Sequence, residues 1–277
     1  MRNDFSVEEA IRARHSVRSY DSRVVPQEVR TKILEYAAGI QNPLGPKIRI
    51  KLIDKTISPN RERLGTYGII QGAQLFLCAI VEDVPEAREA LGYEFEQLLL
   101  YAVSLGLGTC WLGGTFNRGA FATAADVKPG ELFPVVSPLG YAAGKQSLTE
   151  RIMRSGVKAD RRLPWEELFY QGDFQTSLEK KTAGEYTLPL EMLRLAPSAV
   201  NKQPWRVLCQ DGCFHFFEQK SMAGSGQVDL QRLDVGIGIC HFHMTALEKG
   251  LSGHFEKQRE EWSLPDNMVY ITSWKAE

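Results

Sequence analysis

The sequence predicts an α+β protein made of two related halves, with central antiparallel or mixed sheets flanked by helices. Three observations carry that prediction. The apolar pattern of the 277 residues switches repeatedly between a strand-like and a helix-like period. Two long apolar helical stretches both end in Gly-Leu, at Leu105-Gly106-Leu107-Gly108 and at Lys249-Gly250-Leu251. A helix end, a proline-containing loop and a strand follow one another twice, after Leu34-Glu35-Tyr36-Ala37 and after Leu193-Arg194-Leu195-Ala196. Identity between the halves is low, and any two α+β stretches share part of this rhythm. The order of the matching features favours duplication.

Ser6 and Glu9 have capping-box spacing, so a helix starts there and ends near His15. Ser16 to Tyr20 alternates as an extended segment does. Pro26 suits the first turn of a second helix, which Gly39 stops. Lys47 to Ile53 reads as a half-buried strand, and Gln74 to Val81, apolar throughout, as a central one. Pro85 to Leu107 is a long helix with one apolar stripe. Cys110 to Gly114 is a glycine-rich loop, Pro134 to Tyr141 a strand, and Pro164 to Phe169 a short helix. Gln171 to Glu185 is polar without an apolar period and reads as a linker. The organisation is therefore 1–170, a linker at 171–185, and a shortened second half at 186–277. In that half Leu188 to Leu195 is a helix capped by Thr187. Trp205–Cys209 and Phe214–Glu218 form a hairpin around Asp211-Gly212. Val235 to Leu251 is the second long helix, and Met268 to Trp274 a last strand.

Hydrophobic residues are 43% and charged residues 24% of the chain, with net charge −1. That balance argues against nucleic acid and acidic lipid as partners. The longest apolar run, Ala73 to Val81, is about half of the ~20 residues a membrane-spanning helix needs. There is no apolar leader segment, and five cysteines without a framework suit a reducing compartment. The expected location is the cytoplasm, with no membrane partner.

Chemistry concentrates in a few places. In an extended Arg14-His15-Ser16-Val17-Arg18, residues 14, 16 and 18 share one face, offering two guanidinium forks and a hydroxyl to an anion. A solvated basic segment has the same composition. Trp111-Leu112-Gly113-Gly114 is either a tight turn or a loop whose bare amides approach a flat ligand. Ser198 lacks a nucleophile elbow. His241 and His243, two apart on a helix, face different directions and read as packing residues. Cys209 and Cys213 lack a second pair, and no metal site is expected.

Together these residues resemble the nitroreductase family of FMN flavoproteins. The resemblance rests on RHSVR (Arg14–Arg18), GLGTCWLGG (Gly106–Gly114), LGYAAG (Leu139–Gly144) with the later Arg161-Arg162-Leu163-Pro164-Trp165, and APSAVNKQPW (Ala196–Trp205). In an ordinary member Pro-Ser-x-x-Asn follows the second helix. Here that place holds Asn42-Pro43-Leu44-Gly45-Pro46, and the pattern reappears in the second half, which lacks an RHSVR segment and a Gly-Gly loop. Ordinary members are homodimers whose flavin sites draw on both subunits. The complementary losses resemble the fused, pseudo-dimeric branch, in which one chain mimics that homodimer and keeps one complete site.

The resemblance implies FMN, with NADH or NADPH as electron donor and a nitro compound, quinone or similar small molecule as acceptor in a ping-pong reaction. Arg14, His15 and Ser16 would hold the phosphate end, Arg162 closing from the tail. Arg18 would lie near the pyrimidine edge. Trp111, Leu112, Gly113 and Gly114 would form the loop facing N5. Pro197, Ser198, Ala199 and Asn201 would pack and hydrogen-bond the ring from the second half. Tyr67 and Gly68 fall where ring contacts are expected, with altered identities. No catalytic side chain is required, because the flavin carries the redox chemistry. A monomer is favoured, and a homodimer is compatible. The alternative is a flavin-binding protein without turnover, for storage or sensing.

Overall fold

Ser6 caps the first helix as its spacing to Glu9 predicts, its Oγ accepting from the Glu9 amide at 3.4 Å. In this computed structural model, which describes residues 4–58, 63–144, 161–221, 229–258, 262 and 264–277, that helix is α1 (Val7–Ala13). The basic residues Arg151, Arg154 and Lys158 lie outside the described residues. Two more N-terminal amides of α1, those of Val7 and Glu8, donate to the Glu248 carboxylate at 2.7 and 3.2 Å. The far end of the chain therefore satisfies donors that a helix start leaves open.

Helix α2 (Gln27–Gly39) follows Pro26. Strands β1 (Arg49–Asp54), β2 (Leu75–Glu82), β3 (Gly108–Thr109) and β4 (Glu131–Gly140) form a four-stranded antiparallel sheet in the order β1-β2-β4-β3. β2 is buried on both faces, as its unbroken apolar run requires. Between β2 and β3 lies α3 (Ala87–Ser104). One apolar stripe is expected of it, but α3 is buried nearly all round, including Glu89, Glu94, Glu96 and Gln97. Glu89 and Glu96 meet Arg232 and His241 of the second half, and Glu94 and Gln97 meet Asn42 and Tyr36 of the first, rather than water. A short helix that the sequence reading omits, α4 (Arg118–Ala124), is capped by Asn117.

The stretch 171–185 is not an irregular linker. β5 (Phe169–Gln171) and β6 (Asp173–Ser177) pair there, followed by α5 (Lys180–Ala183). Their outer faces are exposed, which removes the apolar period that would have revealed them. Pro164–Phe169 holds only a 3-10 turn, Trp165–Glu167. Helix α6 (Thr187–Arg194) starts directly after Tyr186, and the Thr187 hydroxyl meets the carbonyls of Lys180 and Gly184 instead of capping.

β7 (Trp205–Gln210) and β8 (Cys213–Gln219) form the expected hairpin. Its turn has positive φ at both Asp211 (49°) and Gly212 (74°), the conformation that matches strand twist. Helix α7 (Leu230–Glu248) precedes β9 (Gly253–Glu256), which the sequence reading missed, and β10 (Met268–Ala276). The second sheet runs β6-β5-β7-β8-β10-β9. Within it, β7-β8-β10-β9 repeats the order and antiparallel pairing of β1-β2-β4-β3, and α7 takes the place of α3.

The two long helices meet through glycines. A Cβ on Gly92 would collide with the Leu233 carbonyl, and one on Gly236 with the Glu89 carbonyl. Each glycine sits three residues after the backbone that the other touches. Such a reciprocal contact is what a two-fold relation produces.

Candidate cofactor site

The site begins where RHSVR leaves α1. Ser16 pairs with Thr109 in a parallel bridge, and the Val17 amide donates to the Thr109 carbonyl at 2.9 Å. A Cβ on Gly108 would lie 2.9 Å from Val17, so only glycine lets the two segments lie this close. The arginine segment and the glycine loop are therefore neighbours, as the resemblance implies.

Arg14 and Arg18 turn guanidinium groups inward. Arg14 Nη1 and Arg18 Nε and Nη1 are buried and find no hydrogen-bond partner among the described residues. Buried donors without acceptors carry a large desolvation cost, which an anion would offset. His15 lies off this face. It is exposed, its Nδ1 3.0 Å from the Ala13 carbonyl.

The glycine loop is fixed from behind. Leu112 is buried and pairs through both backbone groups with Val136, so it belongs to the core. Arg118 Nη2 donates to the Gly113 carbonyl at 2.7 Å, and Arg118 Nη1 to that of Phe133. The Gly113 and Gly114 amides form no hydrogen bond among the described residues. From the second half, Leu230 covers Gly113, where a Cβ would lie 3.1 Å from it.

The Pro-Ser-x-x-Asn segment reaches the same helix end. The Ala199 amide donates to Asp234 Oδ2 at 2.9 Å, one turn along α7 from Leu230. Burial raises the Asp234 carboxyl well above its usual range, the nearby Asp229 and Glu218 adding to this, against the Ala199 hydrogen bond. Val200, Asn201 and Gln203 all have left-handed φ, at 44°, 57° and 51°. Such strain outside glycine persists only where surroundings enforce it. Here Ser198 Oγ accepts the Gln203 amide at 2.8 Å, and Gln203 Oε1 accepts the Leu163 amide at 2.8 Å. Asn201 Nδ2 donates to the Arg161 carbonyl at 2.8 Å. Arg162 closes from the tail, donating to the Leu195 carbonyl at 3.0 Å and to Asn201 Oδ1 at 3.4 Å.

Tyr67 and Gly68 form a turn of positive φ, with the Tyr67 side chain 70% exposed. The flanks of this loop are hydrogen-bonded, the Asn117 amide donating to the Gly65 carbonyl and the Gln71 amide to the Arg18 carbonyl.

The two groups of residues converge on Glu96 of α3. Trp111 Nε1 donates to its Oε2 at 2.6 Å, while Arg14 Nε lies 3.6 Å and His241 Nε2 2.9 Å from its Oε1. Trp111 and Arg14 come from the first half and His241 from the second.

Residues 6–246 match the family model described as "Putative TM nitroreductase". The chain belongs to this nitroreductase family. The fold matches a Thermotoga maritima structure described as a putative nitroreductase, with TM-score 0.61 and 20% identity over 99% of this chain and 95% of that one. A structure described as a putative nitroreductase in complex with FMN, from Desulfovibrio desulfuricans, aligns at 27% identity and TM-score 0.41 over 55% of this chain and 96% of that one. A Bacteroides fragilis nitroreductase with bound FMN aligns at 23% identity and TM-score 0.41, over 53% and 92%. No curated protein matches the chain. No helix among the described residues is long and apolar enough to cross a membrane.

In this chain, sequence reasoning missed the site roles of Glu96, His241, Asp234, Gln203 and Arg118. His241 is not mere packing, since both ring nitrogens face acceptors. One signal was available: Glu96 and Asp234 sit in long helical stretches that are largely apolar, and buried carboxylates need partners.

Proposed function

We propose that this chain is an FMN-dependent oxidoreductase whose single flavin site is shared by its two halves. The observation that carries the proposal is the pair of buried guanidiniums, Arg14 and Arg18, with donor atoms unmatched among the described residues, beside a glycine loop with uncommitted amides. This donor set fits a flavin mononucleotide: fixed positive charge for the phosphate and bare backbone for a planar ring.

When bound, FMN supplies the redox chemistry, taking hydride from NADH or NADPH and passing electrons to a nitro compound, quinone or similar acceptor in alternating half-reactions. The protein's part is to bind and orient. Arg14 and Ser16 would hold the anionic end, and Arg18 would offset negative charge on the reduced ring. Gly113 and Gly114 would offer amide donors, kept outward because Arg118 holds the Gly113 carbonyl from the other side. Pro197, Ser198 and Ala199 would cover the ring from the second half. Asn201 and Arg162 act in this reading as a clasp, their side chains joined to each other and to the tail.

The repeated strand order and the reciprocal glycine contact support a fused pseudo-dimer, in which one chain does the work of a family homodimer. A monomer suffices for such a site.

Anaerobic stopped flow tests the reading. Protein loaded with FMN should lose its flavin absorbance on mixing with NADH or NADPH and regain it with a quinone. A yellow protein bleached by neither nucleotide would leave only flavin binding without turnover.

A further inference from the structure

We propose that Glu96 is a positioning residue for Arg14, anchored across the two halves by His241. The inference rests on Arg14 as a phosphate ligand of the proposed FMN site. The Glu96 side chain is fully buried, and three N–H groups converge on its two oxygens, from Arg14, Trp111 and His241. A carboxylate suits such a site because it accepts without donating.

His241 fixes the arrangement further. Its Nδ1 lies 3.0 Å from the Met192 carbonyl, and a carbonyl only accepts, so Nδ1 carries a hydrogen. Its Nε2 then shares one proton with Glu96 Oε1, 2.9 Å away. The pair is net neutral wherever that proton rests.

Arg14 is held at one nitrogen and open at another. Its side chain is 6% exposed, and its Nε lies 3.6 Å from Glu96 Oε1. Its Nη1 remains buried with no hydrogen-bond partner among the described residues. Glu96 thus steadies the guanidinium at Nε and leaves the outer nitrogen to a ligand, the usual advantage of a rigid fork.

Glu96→Gln isolates this role. The amide of glutamine can donate to a neutral His241 Nε2, and its oxygen can still accept from Trp111. Both hydrogen bonds survive, and the net charge of the pair is unchanged. What Arg14 loses is its carboxylate. Riboflavin and FMN differ by the phosphate, so their dissociation constants for the full chain, read by flavin fluorescence quenching, separate positioning from general damage. Glu96→Gln should weaken FMN binding about tenfold, equivalent to about 1.4 kcal/mol, and leave riboflavin within about twofold. Equal weakening of both ligands, or no change in either, overturns the inference. Glu96→Asp, which keeps the charge but withdraws it from Arg14, should give the same selective loss and serves if the glutamine variant does not fold. A wild-type chain that binds neither flavin sinks the cofactor reading itself, which separates that failure from this one.

Discussion

Helices α3 and α7 occupy matching places in two repeats of one topology, yet their surroundings are furnished in opposite ways. Around Glu96 the α3 side gathers Arg14, Trp111 and His241, with buried guanidinium atoms that no described residue satisfies. On the α7 side, rings fill the space. His243 packs 5.0 Å from Phe255 and 4.9 Å from Trp274, and its Nδ1 lies 2.7 Å from the Tyr93 hydroxyl. Burial depresses the His243 imidazole to about 4, keeping it neutral there. The aromatic cluster leaves one buried donor open, Trp274 Nε1, but buries no charge, whereas orphaned cations need a ligand. The comparison teaches that a repeated scaffold leaves side chains free to diverge, and it favours one cofactor site per chain.

The largest expected effect comes from breaking the contact that sets both sides in place. Gly92→Ala or Gly236→Ala would push a methyl group into backbone of the opposing helix. Each should cost roughly 3 kcal/mol or more, or abolish folding, as urea titration would show. A loss below about 0.5 kcal/mol would mean the helices separate easily and the halves are not closely joined.

A smaller change should sharpen the contrast without disturbing the fold core. Ser198→Ala with Asn201→Ala removes the acceptor for the Gln203 amide and the clasp to Arg161 and Arg162. The strained turn should relax and FMN affinity fall roughly tenfold, given about 1 kcal/mol for each such bond. The Phe255 side should be untouched, so the unfolding midpoint should fall by no more than these lost hydrogen bonds account for. Unchanged FMN affinity would place the flavin elsewhere.

The smallest effect concerns pH. Glu94 is pushed up to about 7, chiefly by burial, against the hydrogen bond from Asn42. Its folded value lies above the unfolded one, so it costs nothing below about pH 4.5 and costs stability as pH rises towards 7. His243 and His215, both lowered to about 4 by burial, act oppositely. Each destabilises as pH falls from about 6.5 towards 4, because only the unfolded chain takes the proton. Glu94→Gln should therefore leave stability near its wild-type value at pH 5 and raise it by roughly 1–3 kcal/mol at pH 8. Melting curves at the two values test it, and an equal shift at both would assign the effect to packing.

Much of this was legible in the sequence for definite reasons. The unbroken apolar run in Gln74–Val81 and the capping pair Ser6/Glu9 encode local structure directly. Asp211-Gly212 announces its own turn. Family membership followed from four short motifs. Other features were hidden. β6 carries no apolar alternation because its sheet edge is exposed, and α3 conceals its burial because its carboxylates meet partners rather than water. Glu96 and His241 are 145 residues apart in the chain, and nothing local to either reveals the other.

By itself, then, the sequence determined the main helices and strands, the family, and which residue types could serve a cofactor, since these depend on neighbours along the chain. Only the tertiary structure decided which of them meet. Packing α3 against α7 through two glycines carries His241 to Glu96, and Glu96 to Arg14 and Trp111. Contacts between distant segments are paid for by burial of a shared core, and that is a property of the whole chain rather than of any stretch within it.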